Sequence, residues 1–198
     1  MSYTKVRPYT NGQLLQKVQK LPSFKGFPND YWLLGVQSNE DTYNTFDDKI
    51  YLFHGTQFIL VASATTNAGS TGLKNYTKYN SKGCAVIKTN EWYPNLWAYG
   101  LHRGKMPALR QVGPIKYYRD GNKNNYAEQM GKLYEGVIYA NFHTASYSQR
   151  VGIIRWLIGG WSVACQVVNN ATKYYEIIKR TKNQHRVSYC LIEEFLVQ

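Results

Sequence analysis

Between Lys49 and Ala62 the chain sets two blocks of strand-forming residues on either side of a glycine turn. The blocks are Lys49-Ile50-Tyr51-Leu52-Phe53 and Gln57-Phe58-Ile59-Leu60-Val61-Ala62, with His54-Gly55-Thr56 between them. β-Branched and aromatic side chains fit a pleated surface, so this reads as a β-hairpin turning at His54-Gly55. An isolated hairpin is marginal in water, and the rest of the chain must supply strands to pair with it. It does so in short runs: Tyr31-Trp32-Leu33-Leu34-Gly35-Val36, Cys84-Ala85-Val86-Ile87, Ile115-Lys116-Tyr117-Tyr118-Arg119, residues 135–142 and residues 186–192. The 18 Tyr, 7 Phe and 5 Trp suit such surfaces. The expected fold is mainly β (a β-rich α+β domain), with helices as accessories.

Two helices fit the remaining pattern. Leu14, Leu15, Val18 and Leu21 recur at helical spacing over residues 12–21, with Asn11 as the expected N-cap and Pro22 as the stop. Residues 169–182 place Ala171, Tyr174, Tyr175 and Ile178 on one side of a second helix. Residues 1–30 are therefore read as an N-terminal extension carrying a short helix, and residues 31–198 as the main domain. The Gly-, Ser-, Thr- and Asn-rich stretch 67–82 reads as a long polar loop. Asp120-Gly121-Asn122-Lys123-Asn124-Asn125 reads as a turn too poor in carboxylates to hold calcium.

Charge narrows the partners without choosing one. The 24 Lys+Arg outnumber the 12 Asp+Glu, giving a net charge of +12. Such a balance attracts polyanions: wall polymers, nucleic acid or anionic membranes. The basic residues are scattered. Their densest cluster (Lys173, Lys179, Arg180, Lys182 and Arg186, with His185 among them) matches no nucleic-acid-docking motif, so nucleic acid is compatible with the charge but not favoured. No apolar run reaches the roughly 20 residues a bilayer span needs; the longest, residues 151–168, is broken by Arg155, Gly159, Gly160 and Ser162. Met1-Ser2-Tyr3-Thr4-Lys5-Val6-Arg7-Pro8 has no signal-peptide segment, so synthesis in the cytoplasm is expected.

The three cysteines, Cys84, Cys165 and Cys190, lack the spacing of a metal finger or a redox pair. All three read as reduced thiols, at least two of them buried in strands, although two of the three could pair. Cys165 follows small residues in Trp161-Ser162-Val163-Ala164-Cys165-Gln166-Val167, while a strand upstream ends in Phe142-His143-Thr144. A cysteine nucleophile needs a neighbouring base and donors for the oxyanion, and Gly152, Gly159 and Gly160 would let the intervening chain bring the two ends together. Taken alone, the same residues also fit a buried strand cysteine and a histidine at a loop start.

The ordered series resembles the L,D-transpeptidase-like catalytic domain, in a divergent branch met in phage and bacterial proteins. That family's motif is a strand ending in His-Gly-Thr, a loop, then Ser-His-Gly-Cys and a short apolar stretch. Phe142-His143-Thr144 resembles its first part and Ser162-Val163-Ala164-Cys165-Gln166-Val167 its second. Residues 48–58 resemble the opening hairpin, and Thr65-Thr66-Asn67-Ala68-Gly69 the glycine-ending strand. The similarity covers roughly residues 31–195.

The resemblance implies a β-sandwich or barrel in which Cys165 attacks the carbonyl of a peptidoglycan stem peptide and forms an acyl-thioester. It makes His143 the general base and then the acid. Ser162 would orient the imidazole through its backbone carbonyl, and N–H groups near Ala164 would stabilise the oxyanion. No metal or cofactor is implied. The sequence departs from the family at Ala164 (Gly there), Val163 (His there) and Val167, where an Arg is common. His102 and Arg103, in Tyr99-Gly100-Leu101-His102-Arg103-Gly104-Lys105, are candidate substrate-binding residues, against a plain basic surface turn.

The leading expectation is thus a cysteine peptidase or transpeptidase of peptidoglycan, of phage origin. It would associate with other virion proteins and be delivered to the bacterial wall, whose anionic polymers attract it. The alternative is a catalytically inactive structural, virion or wall-binding protein that keeps the fold. An activated Cys165 is expected to alkylate selectively near neutral pH.

Overall fold

The computed structural model describes residues 5–150 and 152–197; the first four residues of the N-terminal stretch read above for a signal segment lie outside them. Eight strands close into a barrel. They are β1 (Tyr31–Gln37), β2 (Asp48–His54), β3 (Gln57–Thr65), β5 (Glu91–His102), β6 (Met106–Gln111), β9 (Phe142–Thr144), β10 (Gln166–Val168) and β11 (Val187–Glu193), running in the order β1-β11-β5-β6-β9-β10-β3-β2. A second sheet of three strands, ordered β4-β7-β8, joins β4 (Cys84–Ile87), β7 (Ile115–Asp120) and β8 (Tyr134–Gly136). The fold is mainly β, as expected.

The predicted hairpin forms, with His54 opposite Gln57 and Gly55 at a φ of 57°. It is a two-residue connection requiring a positive φ, which glycine adopts without strain.

Strand β1 is apolar on both faces because both are covered. Leu33 joins a cluster with Leu52, Trp97, Phe142, Tyr174 and Ile177, the last two from helix α3 (Ala171–Thr181). Trp32, Leu34 and Val36 join Val6, Leu14 and Val18 of the N-terminal segment. Alternate side chains thus meet different helices. At Gly35 a Cβ would come within 2.2 Å of the Tyr189 hydroxyl, so only glycine lets that tyrosine cross the barrel.

Helix α1 covers Asn11–Gln19, and its N-cap is Thr10, not Asn11. Thr10 Oγ1 accepts the Gln13 N–H at 3.3 Å, while the Gln13 side chain accepts the Thr10 N–H at 2.8 Å. This reciprocal pair satisfies two donors, one more than a lone asparagine cap would. Helix α3 begins at Ala171 with Asn170 as its cap, and buries Ala171, Tyr174 and Ile178 as the spacing predicted, while Tyr175, expected beside them, is half-buried.

Three stretches differ from expectation. The polar stretch 67–82 contains helix α2 (Ser70–Asn75) and a 3-10 turn (Tyr76–Lys78), because buried Leu73 and Tyr76 anchor it. Residues 135–142 do not form one strand. The backbone N–H groups of Ile138 and Ala140 both donate to the Gln111 side chain, which diverts the chain from β8 in one sheet to β9 in the other. Finally, β5 and β6 pair over residues 97–111 around a turn at Arg103 and Gly104, both at positive φ. His102 and Arg103 therefore belong to a barrel hairpin.

Candidate active site

Strand β9 places His143, and the loop entering β10 places Cys165. The two strands run parallel with Gln166 opposite Phe142 and Val167 opposite His143, so both start at the same rim of the barrel and Cys165, just before β10, lies beside the start of β9. His143 is fully buried. Its Nδ1 lies 2.8 Å from the Thr144 carbonyl, a group that only accepts, so this nitrogen carries the proton. Nε2 is then the basic nitrogen, and it is buried without a hydrogen-bond partner. The Cys165 sulfur and ring nitrogens of His143 and His102 all lie within 4.8 Å of one another. The structure brings together the two residues that the sequence separated.

His102, at the end of β5, stacks on His143 with ring centroids 4.2 Å apart. Asn141 fixes it. Its side-chain nitrogen lies 3.1 Å from His102 Nδ1, and its side-chain oxygen accepts the Gln111 N–H at 2.9 Å. Because that oxygen is committed, the Asn141 amide nitrogen donates and His102 Nδ1 accepts. Asn141 and Gln111 were not singled out in the sequence. Asn141 had only a weak signal, its two-residue offset from His143, which puts both on one face of an extended segment, and Gln111 had none.

The loop before Cys165 is tied down through its carbonyls. Gly69 N–H donates to the Ser162 carbonyl at 3.1 Å, Cys84 Sγ to the Val163 carbonyl at 3.1 Å and Ser162 Oγ to the Cys165 carbonyl at 2.8 Å. Ser162 therefore does not orient the imidazole as the resemblance implied: Thr144 does so, and Ser162 shapes the nucleophile loop instead. With these carbonyls turned to the scaffold, the Ala164 and Cys165 N–H groups have no partner among the described residues. Both residues line the cleft, as two adjacent unpaired donors beside a thiol. Opposite them, Tyr139 accepts from the Cys165 thiol at 3.7 Å and holds a φ of 60°, a left-handed conformation uncommon for its residue type.

Charge states follow from burial. Cys165 is partly open to the cleft, yet its dense surroundings push the thiol up to about 11, against the smaller pull of the Asn141 N–H and the Arg103 cation. Burial, with His102 and Arg103 beside it, drives His143 down to about 3. Burial, then Arg103 and Arg110, drives His102 down to about 4. At neutral pH the resting pair is a neutral thiol beside a neutral imidazole, not a thiolate–imidazolium pair. The other two cysteines are buried and unpaired, and burial raises Cys84 to about 12 and Cys190 well above its ordinary value.

The cleft has a volume of about 780 Å³ and lies where the barrel meets the small sheet. Its walls carry the rings of Tyr76, Tyr79, Tyr117, Tyr139, Tyr147 and Trp161. Arg103 lines it as predicted; Arg110 and Arg119, which sequence reasoning missed, line it too. The donor set of His102, His143 and Cys165 is one that a borderline cation such as Zn²⁺ accepts, although Asn141 already occupies one nitrogen of His102. No helix among the described residues is long and apolar enough to cross a membrane.

Comparison with known protein families, curated proteins and solved structures finds no match to this chain.

Proposed function

We propose that the protein is a cysteine-dependent enzyme of peptidoglycan peptide bonds, a peptidase or transpeptidase in the manner of the L,D-transpeptidase-like domain. The observation that carries this reading is the buried, unpartnered Nε2 of His143 in the same small cluster as the Cys165 sulfur. A buried polar atom without a partner costs free energy, and at a catalytic base the missing partner is the proton it takes.

Because the resting thiol is neutral, its proton moves during attack. The Cys165 sulfur bonds the substrate carbonyl carbon while its proton passes to His143 Nε2. The charge that develops on the carbonyl oxygen meets the Ala164 and Cys165 N–H groups. As the carbon–nitrogen bond breaks, His143 returns the proton to the departing amine and leaves an acyl-thioester on Cys165. Water then attacks the thioester carbonyl, with His143 accepting its proton and passing it to the sulfur, and a carboxylic acid is released. An amine as acceptor gives a new peptide bond by the same proton path. Buried Thr144 holds the imidazole tautomer throughout. The net charge of +12 concentrates the protein on anionic wall polymers.

The alternative, an inactive structural or wall-binding protein, draws on Val167. It is fully buried where the resembled family commonly carries an arginine, so that residue supplies no anchor for a substrate carboxylate. Digestion of crosslinked peptidoglycan, with released fragments identified by mass, separates the two. The enzyme reading expects fragments from the wild type and none from Cys165→Ala. Binding to the wall without any fragments, by a folded wild-type protein, supports the alternative.

A further inference from the structure

The cleft beside Cys165 is lined by three charged residues, and all three are arginines: Arg103, Arg110 and Arg119. No carboxylate lines it, and none of the three forms an ion pair among the described residues. They stand on two walls. Arg103 sits in the β5–β6 turn and Arg110 on β6, both close enough to His102 to add to the burial that keeps its imidazole neutral. Arg119 lies on β7 of the small sheet, where its guanidinium stacks 4.9 Å from the Tyr117 ring centre and donates to the Gly83 carbonyl at 3.2 Å. Room is made for Arg110 in particular: a Cβ at Gly100 would sit 2.8 Å from Arg110 Cδ.

Guanidinium groups that are pre-positioned and lack a protein counter-ion match carboxylates, which they bind with paired, charge-assisted hydrogen bonds. We propose that the cleft selects its substrate by carboxylate charge. Arg103 and Arg110 hold an acidic group beside the bond presented to Cys165, and Arg119 holds a second one on the opposite wall. The favoured substrate is then a peptide whose side carboxylates are free, and its amidated counterpart is rejected. This inference rests on the peptidase reading for the identity of the peptide but not for the charge preference. It also assigns the anion-binding work that Val167 cannot do to residues from other strands.

The test uses Cys165→Ala protein and two synthetic peptides, L-alanyl-γ-D-glutamyl-meso-diaminopimelyl-D-alanine and the same peptide with its side carboxyls as amides. Binding is measured by calorimetry at low and high salt. The acidic peptide is expected to bind roughly ten- to a hundredfold more tightly, in line with charged hydrogen bonds. That preference should shrink with salt and in Arg110→Gln and Arg119→Gln, each checked for folding by circular dichroism. Equal binding of the two peptides, binding of neither, or a preference unchanged in both variants overturns the inference. Wild-type turnover distinguishes this failure from failure of the function itself. Equal cleavage of both peptides removes the charge selection and keeps the peptidase; acidic-selective binding with no cleavage does the reverse.

Discussion

The Cys165 sulfur lies in one small cluster with the buried imidazole of His143, whose tautomer is dictated from behind. The Thr144 carbonyl accepts a hydrogen bond from the His143 Nδ1–H, which leaves buried Nε2 as the basic nitrogen in the cluster with the Cys165 sulfur. The bond does not make His143 a strong base, since burial holds it down at about 3. It makes His143 a correctly oriented neutral one, and four outcomes follow from this and the surrounding scaffold.

With the Cys165 thiol raised to about 11, about one molecule in ten thousand is thiolate at pH 7. Iodoacetamide should therefore modify Cys165 slowly at neutral pH, and the rate should climb roughly tenfold per pH unit towards pH 11. Substrate binding, not the resting charge, then has to activate the sulfur. A rate that plateaus below pH 8 would show a preformed ion pair instead.

Both site histidines have folded pKa values below the unfolded value of about 6.5, at about 3 for His143 and about 4 for His102. At these two sites the unfolded chain then binds more protons between those limits, so their share of the stability rises with pH there. Their contribution is complete above about pH 6.5 and is lost as pH falls towards 4 and then 3. Asp47 and Asp48, whose carboxyls burial raises, hold protons in the folded state over the same range and oppose this slope. In urea melts from pH 4 to 7 the stability of His143→Gln should therefore climb less with pH than that of the wild type. An equal slope in the variant would place the titration elsewhere.

Gly72 of α2 sits against the nucleophile loop. A Cβ there would meet Ala68 Cβ at 2.7 Å, Val163 Cα at 3.1 Å and the Ser162 carbonyl at 3.2 Å. Gly72→Ala should displace that loop and cost about 1–3 kcal/mol of stability, with a larger loss of turnover than of fold. Thermal melts and peptide turnover, measured together, check it.

Asn141 positions two groups at once, holding His102 through its amide nitrogen and the Gln111 N–H through its oxygen. Asn141→Ala should lower kcat about tenfold or more while leaving KM nearly unchanged, and cost about 1–3 kcal/mol by orphaning a buried donor. Asn141→Asp keeps the acceptor for Gln111 and should recover stability but not turnover. Recovery of both would make Asn141 purely structural.

How much of this was legible in the sequence depended on range. The Lys49-to-Ala62 hairpin was readable because its partners are neighbours and Gly55 marks the turn. Helix α3 was readable because Tyr174 and Ile178 repeat at its own period. Strand β5 was not: Trp92, Leu96 and Trp97 are buried by partners remote in sequence, and Pro94 and Gly100 are residue types that weaken a strand signal. At the site, local spacing raised His143 and Cys165 as candidates but could not show that parallel pairing of β9 and β10 unites them. Asn141, Gln111, Arg110 and Arg119 carried no local signal strong enough to name them, since each acts through a neighbour from another strand. The role given to Ser162 failed for the same reason: its carbonyl was already taken by Gly69, a residue far away in the chain.

The most direct test of the central claim is intact-protein mass spectrometry during turnover of purified stem peptides, with wild type, His143→Gln and Cys165→Ala compared. The account predicts a transient adduct of the acyl fragment's mass on wild type, mapped to Cys165 by digestion. It also predicts slow or absent adduct formation in His143→Gln and none in Cys165→Ala. Peptide cleavage that persists in Cys165→Ala, or an adduct mapped to any other residue, would contradict it.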